Sequence, residues 1–227
     1  MKKYKILLFD VDGTLLDFYD AQKQALRKTF QNYGIPLTQE IEEKYISLND
    51  DLWKQFEKGL IDKKTIVYTR FVKLFDEFHI HEDGIAFEDD YQKELGKGHK
   101  KLPFAKEVLE TLSKEYHLYV VTNGVSQTQY SRLRMSGLYT YFEDIFVSED
   151  IGYQKPRKEY FEYCFKKIPF FHQDETLIIG DSLSSDIQGG INAGIDTCWI
   201  CCRETNNISI KPTYVIHQLK DIYKILE

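Results

Sequence analysis

The chain has no long hydrophobic run, no excess of positive charge and few cysteines, and each absence excludes a class of protein. None of its apolar stretches approaches the roughly 18 residues of a membrane-spanning helix. The net charge is -6 over 227 residues, so its charge balance gives no reason to expect a nucleic-acid polymer or a membrane as partner. A small anionic substrate is still compatible with this composition, because a local pocket can be positive on an acidic protein.

The four cysteines do not form a pattern that predicts a metal or redox site. Cys198 and Cys201 have the C-x-x-C spacing, with Cys202 beside them and Cys164 elsewhere. No second pair and no nearby histidine accompany them. The stretch has the pattern of a buried strand, so we interpret these cysteines as small hydrophobic residues.

The N-terminus, MKKYKILLFD, has a basic start and an apolar stretch of only about four residues, with no small-residue cleavage site. We therefore interpret it as the first strand of a cytoplasmic protein, and we expect a monomer or a homodimer. No internal repeat or low-complexity tract is visible.

Strand-like runs alternate with helix-like runs, which is typical of a parallel sheet covered by helices. The predicted strands are Tyr4–Phe9, His117–Thr122, Ile145–Ser148, Thr176–Gly180, Thr197–Cys201 and Thr213–Ile216. The predicted helices are Pro103–Lys114, Gln127–Ser136, Lys158–Lys167, Ser185–Ala193 and His217–Leu226. We therefore predict an α/β fold with a Rossmann-like parallel sheet and helices on both of its faces.

One stretch, from about Phe18 to Leu95, contains no convincing strand. Its apolar and aromatic residues recur at helical spacing, and it is too long for an ordinary crossover between strands. We predict a helical cap domain over residues 18–97, inserted into a core formed by residues 1–17 and 98–227. The alternative is that these helices join the main helical layer.

Polar residues follow four of the predicted strands, and ligands of open α/β sheets bind beyond the carboxyl ends of the strands. Each group alone has an ordinary explanation as a turn, a loop or a helix cap. Their occurrence together at strand ends favours a functional site. The groups are Asp10, Asp12, Gly13 and Thr14; Thr122, Asn123 and Gly124; Lys155 and Pro156; and Asp181, Ser182 and Asp186.

The stretches DVDGT, TNG, KP and GDSLSSD resemble the four motifs of the haloacid dehalogenase-like (HAD) hydrolase superfamily. The resemblance covers the whole chain, because the helical insertion is similar to the cap of the helical-cap subfamily. The overall layout resembles the bacterial phosphatases that act on pyrimidine nucleoside 5′-monophosphates.

The resemblance implies a Mg²⁺-dependent phosphatase that hydrolyses small phosphomonoesters. Asp10 is the implied nucleophile, which would form an aspartyl-phosphate. The implied ligands of Mg²⁺ are the carboxylates of Asp10 and Asp181 and the backbone carbonyl of Asp12, with Asp186 as a ligand or a supporting residue.

The other motif residues have implied roles around the phosphoryl group. Asp12 lies on the same side of the extended chain as Asp10, and it would protonate the leaving group and then activate water. The Thr122 hydroxyl, the backbone N–H groups of Asn123 and Gly124, and the Lys155 ammonium would bind the phosphoryl oxygens.

Three alternatives stay open on this scaffold: a phosphoglycolate-type phosphatase, a sugar-phosphate mutase and a non-catalytic binding protein. The substrate would be chosen by residues outside the motifs. The candidate contacts are Tyr19, Asn49, Trp53 and Phe56 in the predicted cap, with Gln127 and Arg132 in the predicted core.

Overall fold

The structure, a computed structural model, describes residues 3–201 and 209–226. Cys202 lies outside the described residues, so the interpretation of its thiol stays a prediction. The chain forms two compact units. The sheet unit comprises Met1–Phe18 and His99–Glu227, and the helical unit comprises Tyr19–Gly98.

Within the described residues, six strands form one parallel sheet in the sheet unit, which confirms the predicted fold class. The strands are β1 (Ile6–Phe9), β2 (His117–Thr122), β3 (Asp144–Val147), β4 (Thr176–Gly180), β5 (Asp196–Ile200) and β6 (Tyr214–Ile216). Their order across the sheet is β3-β2-β1-β4-β5-β6. The order reverses at β1, and such a reversal is the switch point where open α/β sheets bind ligands.

The sheet is buried on both faces, as expected for parallel strands that are apolar along their whole length. In β1, Leu7 and Phe9 pack into one core, while Ile6 and Leu8 pack into the core on the opposite face. The helices of this unit are α5 (Ala105–Leu112), α6 (Ser126–Ser136), α7 (Ser148–Ile151), α8 (Lys158–Lys167), α9 (Gln188–Ala193) and α10 (Tyr223–Leu226).

Two predicted helices differ from the observed backbone. The segment predicted as the helix Ser185–Ala193 begins with the wider turns of a π-helix at Leu183–Ile187, and only then continues as α9. The segment predicted as His217–Leu226 starts with a 3₁₀ turn at Leu219–Ile222. The tighter turn aligns residues three apart, so it brings the buried side chains of Leu219 and Ile222 onto one side.

The helical unit has a core of its own. It contains most of α1 (Phe18–Asn32) and all of α2 (Gln39–Glu57), α3 (Lys63–Glu77) and α4 (Gly84–Leu95). Aromatic side chains fill its interior, where Phe71 packs at 4.7 Å from Phe87 and 5.1 Å from Tyr91, measured between ring centroids. Its helices begin at side-chain caps where the sequence offers them, as at Asp62, which accepts the N–H of Thr65.

A short pair of chain segments marks where the sheet unit is interrupted. The N–H of Asp17 donates to the carbonyl of Lys100, and the N–H of Leu102 donates to the carbonyl of Leu15, both at 2.9 Å. The departing and returning chains are therefore already hydrogen-bonded to each other inside the sheet unit. Among the described residues, no helix combines the length and the apolar character that a membrane crossing requires.

Candidate active site

Lys155 lies at the centre of the site and joins two acidic residues. Its ammonium donates to Oδ1 of Asp10 at 2.7 Å, to Oδ1 of Asp186 at 2.6 Å and to the carbonyl of Val121 at 2.7 Å. All three donors of the ammonium are therefore satisfied, and its side chain is 1% exposed. Burial alone would lower the pKa of Lys155, but the negative charges of Asp10 and Asp186 raise it above its ordinary value. The lysine is held as a cation.

Asp10, Asp181 and Asp186 form an acidic cluster at the switch point. Each offers a carboxylate oxygen, and these oxygens lie within 4.8 Å of one another. Asp10 directly follows β1 and Asp181 directly follows β4, the strands on either side of the reversal. Asp186 lies in the π-helix, where its Oδ2 also accepts the N–H of Ser182 at 3.0 Å.

Burial, followed by repulsion from neighbouring carboxylates, disfavours the charged forms of Asp10 and Asp181. Burial raises the pKa of Asp10 to about 7, against the opposing effect of the Lys155 charge. Desolvation by neighbouring protein atoms raises the pKa of Asp181 well above its ordinary value, and the negative charges of Asp10 and Asp186 raise it further. The side chain of Asp181 is nevertheless accessible to solvent. When all three carboxylates are ionised, they and the ammonium leave two uncompensated negative charges, which a divalent cation would neutralise.

Asp12 lies apart from this cluster, because its carboxylate is held by residues of α6. Oδ1 of Asp12 forms an ion pair with the Arg132 guanidinium, and Oδ2 accepts from the Gln129 amide at 2.5 Å. Arg132 and Gln129 are each 1% exposed, whereas the Asp12 side chain is 28% exposed. The carboxylate of Asp12 is thus anchored from inside the protein and open on its other side.

The motif that follows β2 is also hydrogen-bonded within itself. The Thr122 hydroxyl oxygen accepts from the N–H of Gly124 at 3.1 Å and from the Gln129 amide at 3.0 Å. The side chain of Asn123 bonds the backbone of Lys155 in both directions. The expectation that the Asn123 and Gly124 N–H groups bind phosphate therefore stays a prediction, since the Gly124 N–H has a partner inside the motif.

The structure thus brings the predicted motif residues to one edge of the sheet, and it adds one that the sequence analysis did not name. Gln129 is not among the residues predicted from the sequence, and Arg132 is predicted only as a substrate contact. A signal was present in the helix after the TNG motif, because α6 has few apolar residues and buries Thr128, Gln129, Arg132, Leu133 and Ser136. A helix that must bury one face and has mostly polar residues to bury is a candidate for a supporting network.

The other candidate substrate contacts lie in varied surroundings. Asn49 is buried inside the helical unit, where its side-chain oxygen accepts from the Arg70 guanidinium at 2.7 Å. Phe56 belongs to a buried cluster against which Trp53 packs. Tyr19 is 72% exposed, and Gln127 lies on the exposed face of α6. Asn49 and Phe56 therefore have structural roles, because the helical unit needs them in its own core.

Comparisons with known proteins agree with this geometry. The chain matches the haloacid dehalogenase-like hydrolase family over residues 7–200. It is 48% identical over 227 residues to YfnB, a Bacillus subtilis (strain 168) protein named as a HAD-hydrolase, in a match that covers 100% of this chain and 97% of that relative. It is 39% identical over 226 residues to the pyrimidine 5′-nucleotidase PynA of Streptococcus pneumoniae, in a match that covers 99% and 95% of the two chains.

A solved structure extends the similarity to three dimensions. The crystal structure of YfnB bound to magnesium, in its orthorhombic form, is similar to this chain with a TM-score of 0.94 over 100% of both chains. A doubly wound sheet with a cluster of carboxylates at its switch point is typical of α/β enzymes that bind a cation at that point. The chain belongs to the haloacid dehalogenase-like hydrolase family, which confirms the resemblance found in its motifs.

Proposed function

We propose that this chain is a Mg²⁺-dependent phosphatase that hydrolyses small phosphomonoesters through an aspartyl-phosphate at Asp10. The carrying observation is the buried Asp10 carboxylate at the switch point, held by Lys155 and within 4.8 Å of Asp181 and Asp186. A second carboxylate, Asp12, is held outside this cluster. This arrangement provides both a nucleophile and a separate group for proton transfer.

The donor set fits magnesium. Hard carboxylate oxygens are the ligands that Mg²⁺ prefers, and it keeps several waters besides. We assign Asp10 and Asp181 as direct ligands, with the Asp12 carbonyl as the third group that the family resemblance implies. Both oxygens of Asp186 are engaged, by Lys155 and by the N–H of Ser182, so we assign Asp186 to holding Lys155 in place. When bound, the ion would shield the negative phosphoryl group from the attacking carboxylate.

The residues of the chain supply the remaining chemistry. An oxygen of Asp10 forms a bond to phosphorus while the ester bond to the leaving oxygen breaks, and protonated Asp12 gives its proton to that oxygen. Asp12 then removes a proton from a water that attacks the aspartyl-phosphate, which releases inorganic phosphate and restores Asp10. The Thr122 hydroxyl donates to a negative oxygen of the transferring group, and Lys155, whose three donors are already engaged, contributes its positive charge.

Nucleoside 5′-monophosphates are the proposed substrate class. The support is the similarity to PynA, together with 29% identity over 225 residues to the Escherichia coli pyrimidine 5′-nucleotidase YjjG. Relatives at 26% identity include a glyceraldehyde 3-phosphate phosphatase, so smaller phosphomonoesters belong in any test. The cap assignment of residues 18–97, the cytoplasmic location and the oligomeric state stay predictions.

A substrate panel tests the proposal. Wild-type protein with Mg²⁺ should release inorganic phosphate from nucleoside 5′-monophosphates faster than from phosphoglycolate, and an Asp10→Asn variant should release none. Retained turnover of an aryl phosphate by Asp10→Asn would exclude the aspartyl-phosphate route. A requirement for a bisphosphate activator with little phosphate release would indicate a mutase, and no release from any of several dozen esters would indicate a binding protein.

A further inference from the structure

Two buried polar residues of α6, Gln129 and Arg132, contact the motif residues: both bind the Asp12 carboxylate, and Gln129 also binds the Thr122 hydroxyl. Gln129 and Arg132 are three positions apart, so they lie on the same face of the helix, and this face is buried. The phosphoryl chemistry proposed above assigns neither of them a role. Burying a guanidinium and an amide is costly unless their hydrogen bonds are satisfied, so their partners indicate what they do.

The amide of Gln129 can be oriented from its hydrogen bonds. Its Nε2 group donates to Oδ2 of Asp12 at 2.5 Å and to Oγ1 of Thr122 at 3.0 Å. Its Oε1 atom accepts from the guanidinium of Arg132 at 3.2 Å. A rotated amide would place Oε1 against the Asp12 carboxylate and Nε2 against the guanidinium, which are both repulsive. Arg132 therefore fixes which end of the amide faces Asp12.

The same bonds fix the direction of the Thr122 hydroxyl. A hydroxyl has one hydrogen to donate and two lone pairs to accept with. Both lone pairs of Thr122 are engaged, by the Gln129 amide and by the N–H of Gly124. Its hydrogen is thus the group left for a phosphoryl oxygen. Gly124 and the Gln129 amide are closely packed, because a Cβ at position 124 would lie 2.3 Å from Nε2 of Gln129.

We infer that Gln129 and Arg132 are positioning residues: Arg132 orients the Asp12 carboxylate and the Gln129 amide, and Gln129 couples Asp12 to the Thr122 hydroxyl. The inference rests on the proposed function, because it assumes proton transfer at Asp12 and phosphoryl binding at Thr122. Arg132 should therefore affect the leaving group, and Gln129 should affect both the leaving group and the phosphoryl group.

A pair of substrates separates these effects. An alkyl phosphate leaves as a basic alkoxide that needs the Asp12 proton, whereas p-nitrophenyl phosphate leaves as a stable phenolate that does not. The quantity to compare is kcat/KM, because it covers the steps up to release of the leaving group and excludes the later attack by water. The alkyl phosphate is the member of the panel that the wild type hydrolyses fastest.

We expect Arg132→Met to lower kcat/KM about 10- to 100-fold for the alkyl phosphate and less than about threefold for p-nitrophenyl phosphate, since a well-placed general acid contributes about 10²- to 10⁴-fold. Gln129→Met should lower kcat/KM for both substrates and weaken inhibition by inorganic phosphate.

Two further variants serve as controls. Arg134→Met is the matched control, because Arg134 is an exposed residue of the same helix, and its kcat/KM should match that of the wild type. Arg132→Lys keeps the charge without the planar fork and should lie between Arg132→Met and the wild type.

A double variant distinguishes positioning from general damage. If Arg132 acts through Asp12, Arg132→Met should cost nothing further once Asp12→Asn is present. The inference would be overturned if the losses in kcat/KM of the two single variants multiplied in the double variant. It would also be overturned if Arg132→Met lost the same factor in kcat/KM for the alkyl and the aryl substrate.

A structural measurement covers the case in which the proposed function itself fails. If the wild type hydrolyses no ester, the crystal structures of Arg132→Met and Arg132→Lys without metal still decide the positioning role. Rotation of the Asp12 carboxylate in Arg132→Met would support it. An Asp12 carboxylate unchanged in both variants would exclude it.

Discussion

The side chain of Asn123 holds the backbone of Lys155 from two directions. Its Nδ2 group donates to the Lys155 carbonyl at 3.0 Å, and its Oδ1 atom accepts the Lys155 N–H at 2.9 Å. The residue after β2 thereby sets the position of the loop that carries the buried ammonium. Asn123, the middle residue of the TNG motif, thus has a structural role through its side chain, separate from the phosphate binding predicted for its backbone N–H.

Replacing Asn123 by alanine should lower both stability and turnover. Two hydrogen bonds at about 1 kcal/mol each predict a loss of about 1–3 kcal/mol in the free energy of unfolding, measured with urea. Turnover should fall because Lys155 loses its fixed position. Asn192→Ala is the control, since the exposed Asn192 donates to the neighbouring carbonyl of Pro156 at 2.9 Å. Equal losses in the two variants would contradict this role for Asn123.

Removing the buried cation should be far more costly than removing an exposed one. Lys155→Met leaves Asp10 and Asp186 buried without their partner, and breaking such a pair typically costs about 3–5 kcal/mol. Lys158→Met removes a surface cation 3.3 Å from Glu162, which should cost about 0–1 kcal/mol. Urea unfolding of both variants at pH 7.5 measures the difference. The loss in Lys155→Met should shrink at pH 5, because the raised pKa of Asp10, about 7, leaves that carboxyl protonated there.

The acidic cluster should make stabilisation by Mg²⁺ depend on pH. The pKa of Asp10 is raised to about 7 from an ordinary value of 3.8. Between about pH 4 and 7 the folded metal-free protein therefore binds more protons than the unfolded chain, and its stability falls as the pH rises. Mg²⁺ binds the deprotonated cluster, so saturating Mg²⁺ should raise Tm more at pH 8 than at pH 5.5.

Thermal unfolding with and without Mg²⁺ at the two pH values measures this difference. Asp181→Asn is the appropriate comparison, because it should lose most of the gain in Tm at pH 8. A gain in wild-type Tm that is as large at pH 5.5 as at pH 8 would show that protons and the ion do not compete for this cluster.

Gly13 should be essential for the metal site because of the space it leaves. Its φ is +79°, and a Cβ there would lie 2.2 Å from Oδ2 of Asp181. Gly137 has a similar φ of +74°, but a Cβ at that position would meet no atom within 4 Å. Both alanine variants should lose about 1–2 kcal/mol from the left-handed backbone. Isothermal titration with Mg²⁺ should show weaker binding in Gly13→Ala alone.

Much of the sheet could be predicted from the sequence, because buried parallel strands are short apolar runs between helical patterns. The bounds of His117–Thr122, Thr176–Gly180 and Lys158–Lys167 agree with the prediction. The polar residues at strand ends were also identifiable, since topology places those ends at one edge. Hydrophobic periodicity and the topology of parallel sheets are therefore enough to predict the fold class and the positions of the motifs.

The links between side chains could not be predicted in the same way. Arg132 and Asp12 are 120 positions apart, and nothing in the helical pattern says that the arginine turns inward. Asn49 has the same difficulty, because a polar residue on an amphipathic helix is typical of the surface. Its burial depends on Arg70, whose guanidinium pairs with Glu88 at 2.6 Å inside the helical unit. Such networks exist only once distant helices have packed.

The hydrogen bond between the N–H of Asp17 and the carbonyl of Lys100 also has a consequence for removal of the helical segment. Because these two backbone segments are already neighbours, a short reverse turn would suffice to bridge them if Tyr19–Gly98 were deleted. The helical segment thus leaves and re-enters the sheet unit at neighbouring points of the backbone. The polypeptide path that carries Asp10, Lys155 and Asp181 would not need to be rerouted.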